Sequence, residues 1–347
     1  MSADTSLTQQ TLAAHPVLVV ADHAGGLLTA GATEVLTLAR SLTSGPVEAI
    51  ALVSDPDLDG LARYGAGTVY VPDFPDGVSP SVSAVAAEAV LQVAAGTEAS
   101  AILLVSTFAG KELAPRLALG LGSGAIVDAT GVHRGPAQDG AAEGELLVSK
   151  TVLQATWDTV CRVTSGVPVI AVKPTAVDAE PVEGIESALV RVPVEISQTA
   201  RAVEVTASRS YPRDGAVPLS EARAVVAGGR GTEGDFSLLH ELAELLDAAV
   251  GATRDATDEG WIDHAAQIGQ TGATIAPRLY LGAGISGAIH HTAGISAAET
   301  IVAINTDSEA PIFELADLGI VGDLHDVLPQ AIAALREHQA ASSAGQT

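Results

Sequence analysis

The sequence predicts an α/β protein with two domains, each a mostly parallel sheet flanked by helices. Short apolar runs alternate with segments of helical periodicity along the chain, which is the pattern of βαβ units. The runs are continuously apolar, as expected for strands that helices cover on both faces. A stretch rich in Ser, Pro, Gly and charge at residues 208–218 (SRSYPRDGAVP) separates two such series and predicts a linker. A chain of 347 residues accommodates two ordinary domains.

The first series predicts a domain over residues 15–207, after a disordered N-terminal tail at residues 1–14. Its first strand is predicted at 16–21 (PVLVVA), and its clearest late strand at 167–172 (VPVIAV). Residues 191–207 alternate in polarity and predict an extended strand that leaves the domain. The remaining elements are predicted as strands at 47–53, 68–71, 101–106 and 124–128 and as helices at 33–42, 61–64, 82–94 and 110–119.

The second series predicts a domain over residues 219–336, followed by a disordered tail at 337–347. Leucines at helical spacing predict an amphipathic helix at 236–247, and a last helix is predicted at 327–336. Gly, Ser, His, Asn and Asp follow the apolar runs, where the carboxyl ends of parallel strands hold ligands. The strands of this domain are predicted at 222–227, 248–253, 279–282, 300–305 and 319–321.

The composition narrows the possible partners. The formal net charge is −25, from 42 acidic and 17 basic residues, and such a surface repels nucleic acid and anionic lipid. The acidity has three readings, which are a salt-rich habitat, solubility, or a match to a basic partner. No apolar run approaches the ~20 residues that span a bilayer. With Cys161 as its one cysteine and no secretory signal pattern, the protein is expected in the cytoplasm, neither membrane-embedded nor bound to nucleic acid.

Two glycine-rich strand ends carry arginines. The sequence GGRG at 228–231 would let the backbone approach a phosphate, with Arg230 as a forked donor. Taken alone, this motif is better explained by a tight turn with a surface arginine. The sequence GATR would point the hydroxyl of Thr253 and the guanidinium of Arg254 into the same crevice. A salt bridge from Arg254 to one of the following aspartates is the alternative.

Further polar groups follow the next strands. The loop IGQTG at 268–272 can present a neutral hydrogen-bond donor to a planar ring, although it also fits an ordinary turn. Ser286 is predicted to cap a short helix that contains His290 and His291. Adjacent helical residues point about 100° apart, so a single hydrogen-bonding histidine is favoured over a metal site, and no metal is expected.

Asn305, Asp307 and Asp323 end the last two strands, where their side chains suit the hydroxyls of a ribose or ribityl chain. The alternative role for Asp323 is the N-cap of the helix that follows it. Neither a Walker motif nor a nucleophile elbow occurs in the sequence. A Ser-His-Asp triad stays open, because its members need not be close in sequence, but no feature of the sequence points to one.

Taken together, these segments resemble the α subunit of electron transfer flavoprotein. The segments that carry the resemblance occur in the family's order: VLVVADHAGG, LARYGAGTVYV, GLGSGAIVDATGV, VVAGGRG, GATR, IGQTG, LYLGAGISGAIHH and VAINTDSEAPIFELADLGIVGDL. The resemblance implies an N-terminal nucleotide-binding-like domain that contacts a β subunit. It also implies a C-terminal FAD-binding, Rossmann-like domain of the DHS-like NAD/FAD-binding type.

The resemblance further implies one FAD per α/β heterodimer and AMP on the β subunit. The protein would be an electron carrier without a substrate transformation of its own. It would take electrons from dehydrogenases, such as the acyl-CoA dehydrogenases of fatty acid β-oxidation, and pass them to a quinone oxidoreductase of the respiratory chain.

The resemblance also assigns roles to individual residues. Arg230 matches the arginine at the FAD phosphates, and Arg254 matches the arginine beside the isoalloxazine ring. Thr253 stands where serine is commoner, and His290 stands where glutamine is common. Redox tuning is expected from Arg254, His291 and Thr271, since a nearby cation or donor stabilises negative charge on a reduced ring. The other implied FAD contacts are Ile268, Gly269, Gln270, Ser286, Gly287, Ala288, Ile289, Asn305, Asp323 and Leu324.

Three alternatives remain beside this resemblance. One is a nucleotide-dependent oxidoreductase using NAD or FAD, which the lack of a G-x-G-x-x-G after the first strand disfavours. Another is a nucleotide-binding regulatory protein, which the first domain alone could support. The third is a bifurcating electron transfer flavoprotein, in which a second flavin would lie on the β subunit.

Overall fold

The computed structural model describes residues 14–136, 144–153, 157–207, 217–219 and 221–344. The chain divides into two compact units, Met1–Ser210 and Tyr211–Thr347. Each unit is built on a parallel sheet flanked by helices, so the predicted fold class is confirmed. The predicted tail at 1–14 and linker at 208–218 lie almost entirely outside the described residues, and these boundaries stay predictions.

The first unit contains a parallel sheet of seven strands in the order β12-β5-β4-β1-β6-β11-β7. A three-stranded antiparallel sheet, β10-β9-β8, and a short hairpin, β2-β3, accompany it. The strands are β1 Val17–Val20, β2 His23–Ala24, β3 Leu27–Leu28, β4 Val47–Ile50, β5 Ala66–Asp73, β6 Ala101–Val105, β7 Ala125–Ala129, β8 Gly131–Arg134, β9 Leu146–Val152, β10 Trp157–Cys161, β11 Val169–Val172 and β12 Ala188–Pro193.

Continuous apolar strands form here because helices pack on both faces of the sheet. Val17 and Val19 of β1 belong to one core layer, whereas Leu18 and Val20 belong to the other, and all four are buried. Alternate residues of a strand point to opposite faces, so a strand covered on both sides contains no polar position. The described helices of this unit are Ala30–Leu42, Leu58–Arg63, Ser83–Ala94, Phe108–Gly120 and Gln198–Arg201.

The second unit contains a parallel sheet of five strands in the order β14-β13-β15-β16-β17. Its strands are β13 Ala224–Gly228, β14 Ala249–Ala252, β15 Leu279–Ala283, β16 Thr300–Asn305 and β17 Leu318–Val321. Its described helices are Ser237–Leu246, Arg254–Asp258, Ile289–Ile295 and Leu324–Ala344, with 3₁₀ turns at Arg230–Thr232, His264–Ala266 and Pro311–Glu314. Among the described residues, no helix combines the length and hydropathy needed to cross a membrane.

Two predicted segments differ from the structure. The extended strand predicted at 191–207 ends at Pro193, and Ser197 then caps the short helix Gln198–Arg201 by accepting a hydrogen bond from a backbone N–H. The tail predicted as disordered from 337 is helical as far as Ala344. Its Ala, Glu and Gln residues favour helix, and Gln339 Nε2 anchors the segment by donating to the Leu245 carbonyl at 2.9 Å.

Candidate functional site

The carboxyl ends of the strands in the second unit form a cleft of about 530 Å³. The register pairs Gly228 with Ala283 and Ala283 with Ile304, so the loops after β13, β15 and β16 emerge at one edge of the sheet. This edge is where open α/β sheets bind ligands. Six predicted site residues line the cleft, namely Arg230, Thr253, Ser286, Asn305, Asp323 and Leu324.

Bare backbone forms the floor between two of these loops. Gly231 donates its N–H to the Gly284 carbonyl at 3.0 Å, and Gly229 donates to the Ala283 carbonyl at 3.2 Å. A Cβ atom on Gly231 would lie 2.7 Å from Gly284 Cα, which belongs to backbone and cannot yield. Gly284 itself has a φ of 64°, a left-handed conformation that favours glycine. The loops therefore pack backbone against backbone, and the approach of a phosphate to the GGRG backbone stays a prediction.

Both predicted arginines are held by aspartates of one short helix. Arg230 Nε lies 3.2 Å from Asp255 Oδ2, and Arg254 Nε lies 3.1 Å from Asp258 Oδ2. All four side chains are more than half exposed. The salt bridge that was the alternative for Arg254 is thus present, and Arg254 is not among the residues that line the cleft. Exposed ion pairs contribute only about 0–1 kcal/mol, so a bound anion could replace either aspartate.

Thr253 supplies a buried hydroxyl oxygen without a hydrogen-bond partner among the described residues. Its backbone N–H donates to the Gly228 carbonyl at 3.0 Å, which fixes the residue between β13 and β14. Thr253 also occupies the N-cap position of helix Arg254–Asp258, but its side chain makes no capping bond. An unsatisfied buried hydroxyl costs about 1–3 kcal/mol, so this oxygen is suited to a ligand that enters the cleft.

The two polar residues at the far strand ends also have structural roles. Asn305 Nδ2 donates to the Ile285 carbonyl at 2.8 Å, and Asn305 Oδ1 accepts from the Asp307 N–H at 3.0 Å. Asp323 Oδ1 accepts from the His325 N–H at 2.9 Å, which is the capping role that the sequence left open. Both side chains thus fix the shape of the cleft wall that they line.

The loop at 268–272 packs against the start of helix Ile289–Ile295. The Gln270 N–H donates to the His290 carbonyl at 2.7 Å, and the Gln270 Oε1 atom lies 2.8 Å from His290 Nδ1. Gly269 adopts a φ of 140°, and a Cβ there would lie 2.7 Å from the His290 carbonyl oxygen. Gln270, Thr271 and His290 are therefore brought together as an exposed polar group.

The prediction that Ser286 caps the short helix is wrong. The helix begins at Ile289 with Ala288 at the N-cap, and no side chain makes the capping bond. The intervening Gly287 has a φ of 85°, and a Cβ there would lie 2.4 Å from the backbone nitrogen of Ile312. Ile312 donates its N–H to the Ser286 carbonyl at 3.1 Å. This bond and the tight packing of Gly287 hold residues 286–287 in a non-helical conformation, so the helix begins only at Ile289.

His291 is buried and bonded through both ring nitrogens, and only 6% of the residue is exposed. Its Nδ1 lies 3.2 Å from the Ile268 carbonyl oxygen, and its Nε2 lies 2.7 Å from the Tyr280 hydroxyl oxygen. Because a carbonyl only accepts, Nδ1 carries the proton and Nε2 accepts from Tyr280. Burial lowers the pKa of His291 to about 4, partly opposed by the bond to Ile268, so the ring is neutral at pH 7.

The histidine pair diverges as helical geometry predicts, since His290 is exposed and His291 is buried. Within the described ranges, no three His, Cys, Asp or Glu side chains lie close enough together to hold a metal ion.

Comparisons with known proteins agree with this arrangement. The model of the electron transfer flavoprotein domain matches residues 17–207, which is more than half of the chain. The chain belongs to the electron transfer flavoprotein family. The model of the family's FAD-binding domain matches residues 218–296, which include the loops after β13, β14 and β15. The resemblance to the family's α subunit is thereby confirmed.

Relatives within the family cover nearly the whole chain. The chain is 40% identical to the electron transfer flavoprotein subunit alpha of Mycobacterium leprae over 322 residues, 90% of this chain and 96% of the relative. It is 40% identical to the protein of the same name from Mycobacterium tuberculosis over 325 residues, 92% and 98%. With that of Bacillus subtilis it shares 35% identity over 325 residues, 90% and 95%.

The residues of the cleft fit an FAD molecule. Glycine backbone at the strand ends admits a pyrophosphate. Arg230 offers a cation whose exposed aspartate partner a phosphate can replace, and Thr253 offers a hydroxyl without a hydrogen-bond partner among the described residues.

Several residues near the site were missed by reasoning from sequence. Tyr280 follows the apolar pattern of a strand and reads as core, although its hydroxyl fixes His291. Gln267 lies in an isolated β-bridge to Ala252, and Thr257 lies in a short helix. No motif marks either residue, although they hydrogen-bond toward Thr271. The cleft is further lined by Gly231, Glu233, Asp255, Gly284, Ile285, Ile304, Thr306, Gly322 and His325.

Proposed function

We propose that this chain holds one FAD in the cleft of its second unit and carries electrons as the α subunit of an α/β heterodimer. The observation that carries the proposal is the unsatisfied buried hydroxyl of Thr253 in a cleft that glycine backbone lines. FAD would supply the redox chemistry, while the protein binds it, orients it and tunes its electronics.

The proposed contacts divide into two groups. Arg230, Thr253 and Ser286 would hold the phosphate side, and Asn305 with the 323–324 segment would hold the adenosine side. At the ring side, Gln270, Thr271 and His290 would supply exposed hydrogen-bonding groups. Ile268, Gly269, Gly287, Ala288 and Ile289 would shape the loop and the helix start that carry these groups.

The structure limits how Arg254 and His291 could tune the redox potential of FAD. Arg254 would act on the ring after exchanging its exposed bond to Asp258. His291 would act as a neutral hydrogen-bonding group or through the loop that it anchors, because its ring is uncharged at pH 7. Its lowered pKa argues against a positive charge on this histidine as a source of stabilisation for a reduced ring.

The proposed partners follow from the family. The name "subunit alpha" of the relatives supports a β subunit, on which we place AMP. Dehydrogenases, including acyl-CoA dehydrogenases, would donate electrons in the cytoplasm, and a quinone oxidoreductase would accept them. In this role the chain is a carrier and transforms no substrate of its own.

Co-expression with the β subunit tests the cofactor. The purified heterodimer should be yellow, and the released cofactor should be FAD in a 1:1 ratio to the heterodimer. A colourless complex that binds NAD or ATP would contradict the proposal, and two flavins per heterodimer would indicate the bifurcating class instead.

Thr253 gives a sharper test because its two expected effects have opposite signs. Thr253→Val removes an unsatisfied hydroxyl, so the FAD-free chain should gain thermal stability. The same variant should release FAD about 2- to 10-fold faster, because one hydrogen bond is worth about 0.5–1.5 kcal/mol. Thr253→Ser should retain FAD like the native protein.

The matched control is Thr33→Val in the first unit, where the hydroxyl donates to the Ala30 carbonyl within its own helix. If Thr253→Val releases FAD at the native rate, the Thr253 hydroxyl does not bind FAD, and the proposed cofactor site is contradicted.

A further inference from the structure

Three side chains form a hydrogen-bonded chain that leads from the core of the second unit to the proposed ring side. Thr257 Oγ1 lies 3.1 Å from Gln267 Oε1, and Gln267 Nε2 lies 2.9 Å from Thr271 Oγ1. Thr257 Oγ1 also lies 2.9 Å from the Arg254 carbonyl oxygen. Thr257 and Gln267 are buried, with 2% and 8% exposed, whereas Thr271 is exposed.

The backbone around Gln267 is fixed. Gln267 donates its N–H to the His264 carbonyl at 3.0 Å, and its own carbonyl accepts from the Ala273 N–H at 2.7 Å. Gly272 packs so closely that a Cβ would lie 2.3 Å from the Gln267 carbonyl oxygen. The freedom that remains to the amide group is a half-turn that exchanges its oxygen and nitrogen, two atoms of nearly equal size.

In the first orientation, the amide oxygen faces Thr257 and the amide nitrogen donates to Thr271. Thr257 then has two neighbouring acceptors, Arg254 O and Gln267 Oε1, and only one proton to donate. One of these two contacts is therefore left without a hydrogen bond. Because Thr271 accepts from the amide, its own proton is available to donate outward.

In the second orientation, the amide nitrogen donates to Thr257, and Thr257 donates to the Arg254 carbonyl. The amide oxygen then accepts the proton of Thr271. All three contacts become hydrogen bonds, one more than in the first orientation, which favours this state by about 0.5–1.5 kcal/mol in the absence of a ligand. Thr271 now presents only lone pairs outward, so it acts as an acceptor.

We propose that Gln267 is a positioning residue whose side-chain amide reverses the hydrogen-bonding sense of Thr271 with the redox state of the cofactor. The inference rests on the proposed function. A redox-active ring nitrogen of bound FAD would accept a hydrogen bond in the oxidised state. It would donate one after the ring takes up two electrons from the donor dehydrogenase and one proton from solvent. The first orientation of Gln267 matches the oxidised ring, and the second matches the reduced ring. Thr257 makes the second orientation possible by accepting from the amide nitrogen.

Potentiometric titration of the FAD-loaded heterodimer tests this role with Thr257→Val and Thr257→Ser. Valine is nearly isosteric with threonine but cannot accept from the amide, and an orphaned N–H is rarer in proteins than an orphaned carbonyl. The variant should hold Gln267 in the first orientation and favour oxidised FAD. At a fixed potential, the ratio of reduced to oxidised FAD should fall up to tenfold, which is ~30 mV for a two-electron couple.

Thr257→Ser keeps the hydroxyl and should match the native potential. A purely structural role for Thr257 predicts the reverse order, since valine preserves the packing and serine removes a methyl group. In a Thr271→Val background the group that responds is missing, so Thr257→Val should then leave the potential unchanged.

Redox difference infrared spectroscopy with side-chain-labelled glutamine observes the amide directly. Among the glutamine carbonyl bands that shift between oxidised and reduced heterodimer, one component should be absent in Gln267→Met and in Thr257→Val, whereas Gln330→Met should retain every component. Gln330 is the matched control because its amide donates to the Asp326 carbonyl on an exposed helix. FAD bound with native potentials in Thr257→Val, together with shifting bands that Gln267→Met leaves unchanged, would overturn the switch while leaving the proposed function intact. A heterodimer that purifies without FAD would overturn both.

Discussion

Acidification should destabilise the second unit through His291. Burial lowers the pKa of this histidine to about 4, whereas its ordinary value is 6.5. Between these values the unfolded chain binds a proton that the folded chain excludes, so the free energy of unfolding rises with pH there. The contribution is present in full above pH 6.5 and is lost as the pH falls toward 4.

The size of the effect follows from the difference between the two pKa values. Each unit is worth about 1.4 kcal/mol, so a gap of about two and a half units gives about 3 kcal/mol. Since only 6% of His291 is exposed, solvent screening reduces this value little. Against a typical free energy of unfolding of about 5–15 kcal/mol, a loss of this size is readily measured.

Urea unfolding at pH values from 4 to 7.5, in native protein and in His291→Gln, measures the contribution. Trp261 lies against the core of the second unit, so its fluorescence reports on that unit once the other tryptophan is removed by Trp157→Phe. Glutamine also loses the packing of the ring, so the relevant quantity is the slope of the unfolding free energy with pH. Carboxylates elsewhere titrate equally in both proteins and cancel in the difference.

The matched control is His290→Gln, which changes the exposed neighbour on the same helix. His290→Gln should keep the native dependence of the unfolding free energy on pH. In His291→Gln, the unfolding free energy should fall by about 3 kcal/mol less than in the native protein between pH 6.5 and pH 4. Equal slopes for native protein and His291→Gln would refute the reasoning, because a buried neutral histidine must resist protonation.

Two further predictions concern the cleft and its rim. Arg254→Gln removes a cation from the proposed ring side, so reduced FAD should lose about 1 kcal/mol, the scale of a unit charge acting through water, and the potential should fall. If titration instead gives the native potential, the bond to Asp258 is the main role of Arg254. Gly231→Ala places a Cβ 2.7 Å from Gly284 Cα and should abolish FAD retention. Gly67→Ala, with nothing within 4 Å of its Cβ, should leave FAD content unchanged, and any equal loss in both variants would count against the cleft.

The architecture was predictable because both parallel sheets are covered on two faces. Val17 and Leu18 enter different core layers, so the strand shows an unbroken apolar run that cannot belong to a solvent-exposed sheet. The divergence of His290 and His291 was predictable for a similar reason, since it depends only on the rotation between adjacent helical residues. In both cases the decisive geometry lies within one element.

The errors arose where a distant contact decides the local structure. Ser286 precedes a helix and resembles a cap, yet Ile312 bonds to its carbonyl and delays the helix until Ile289. Residues 337–344 look like a polar tail, yet Gln339 reaches Leu245. The hydrogen bond between Tyr280 and His291 could not be predicted from the sequence. The alternation of a strand predicts which face of the sheet a residue lies on, but not which atom its side chain contacts.

In the proposed site the charged groups are exposed to solvent, whereas the buried hydrogen-bonding groups are neutral. Arg230 and Arg254 are exposed, and each is already paired with an aspartate of the same short helix. Solvent screens such pairs, and ligand binding exchanges one anion for another, so the net electrostatic gain is small. The buried groups, by contrast, are neutral: the Thr253 hydroxyl oxygen has no hydrogen-bond partner within the described part of the chain, His291 is uncharged, and Gln267 bonds to Thr271 through its side-chain amide. Because hydrogen bonds strengthen where water is excluded, these neutral groups should control the cofactor more strongly than the arginines do.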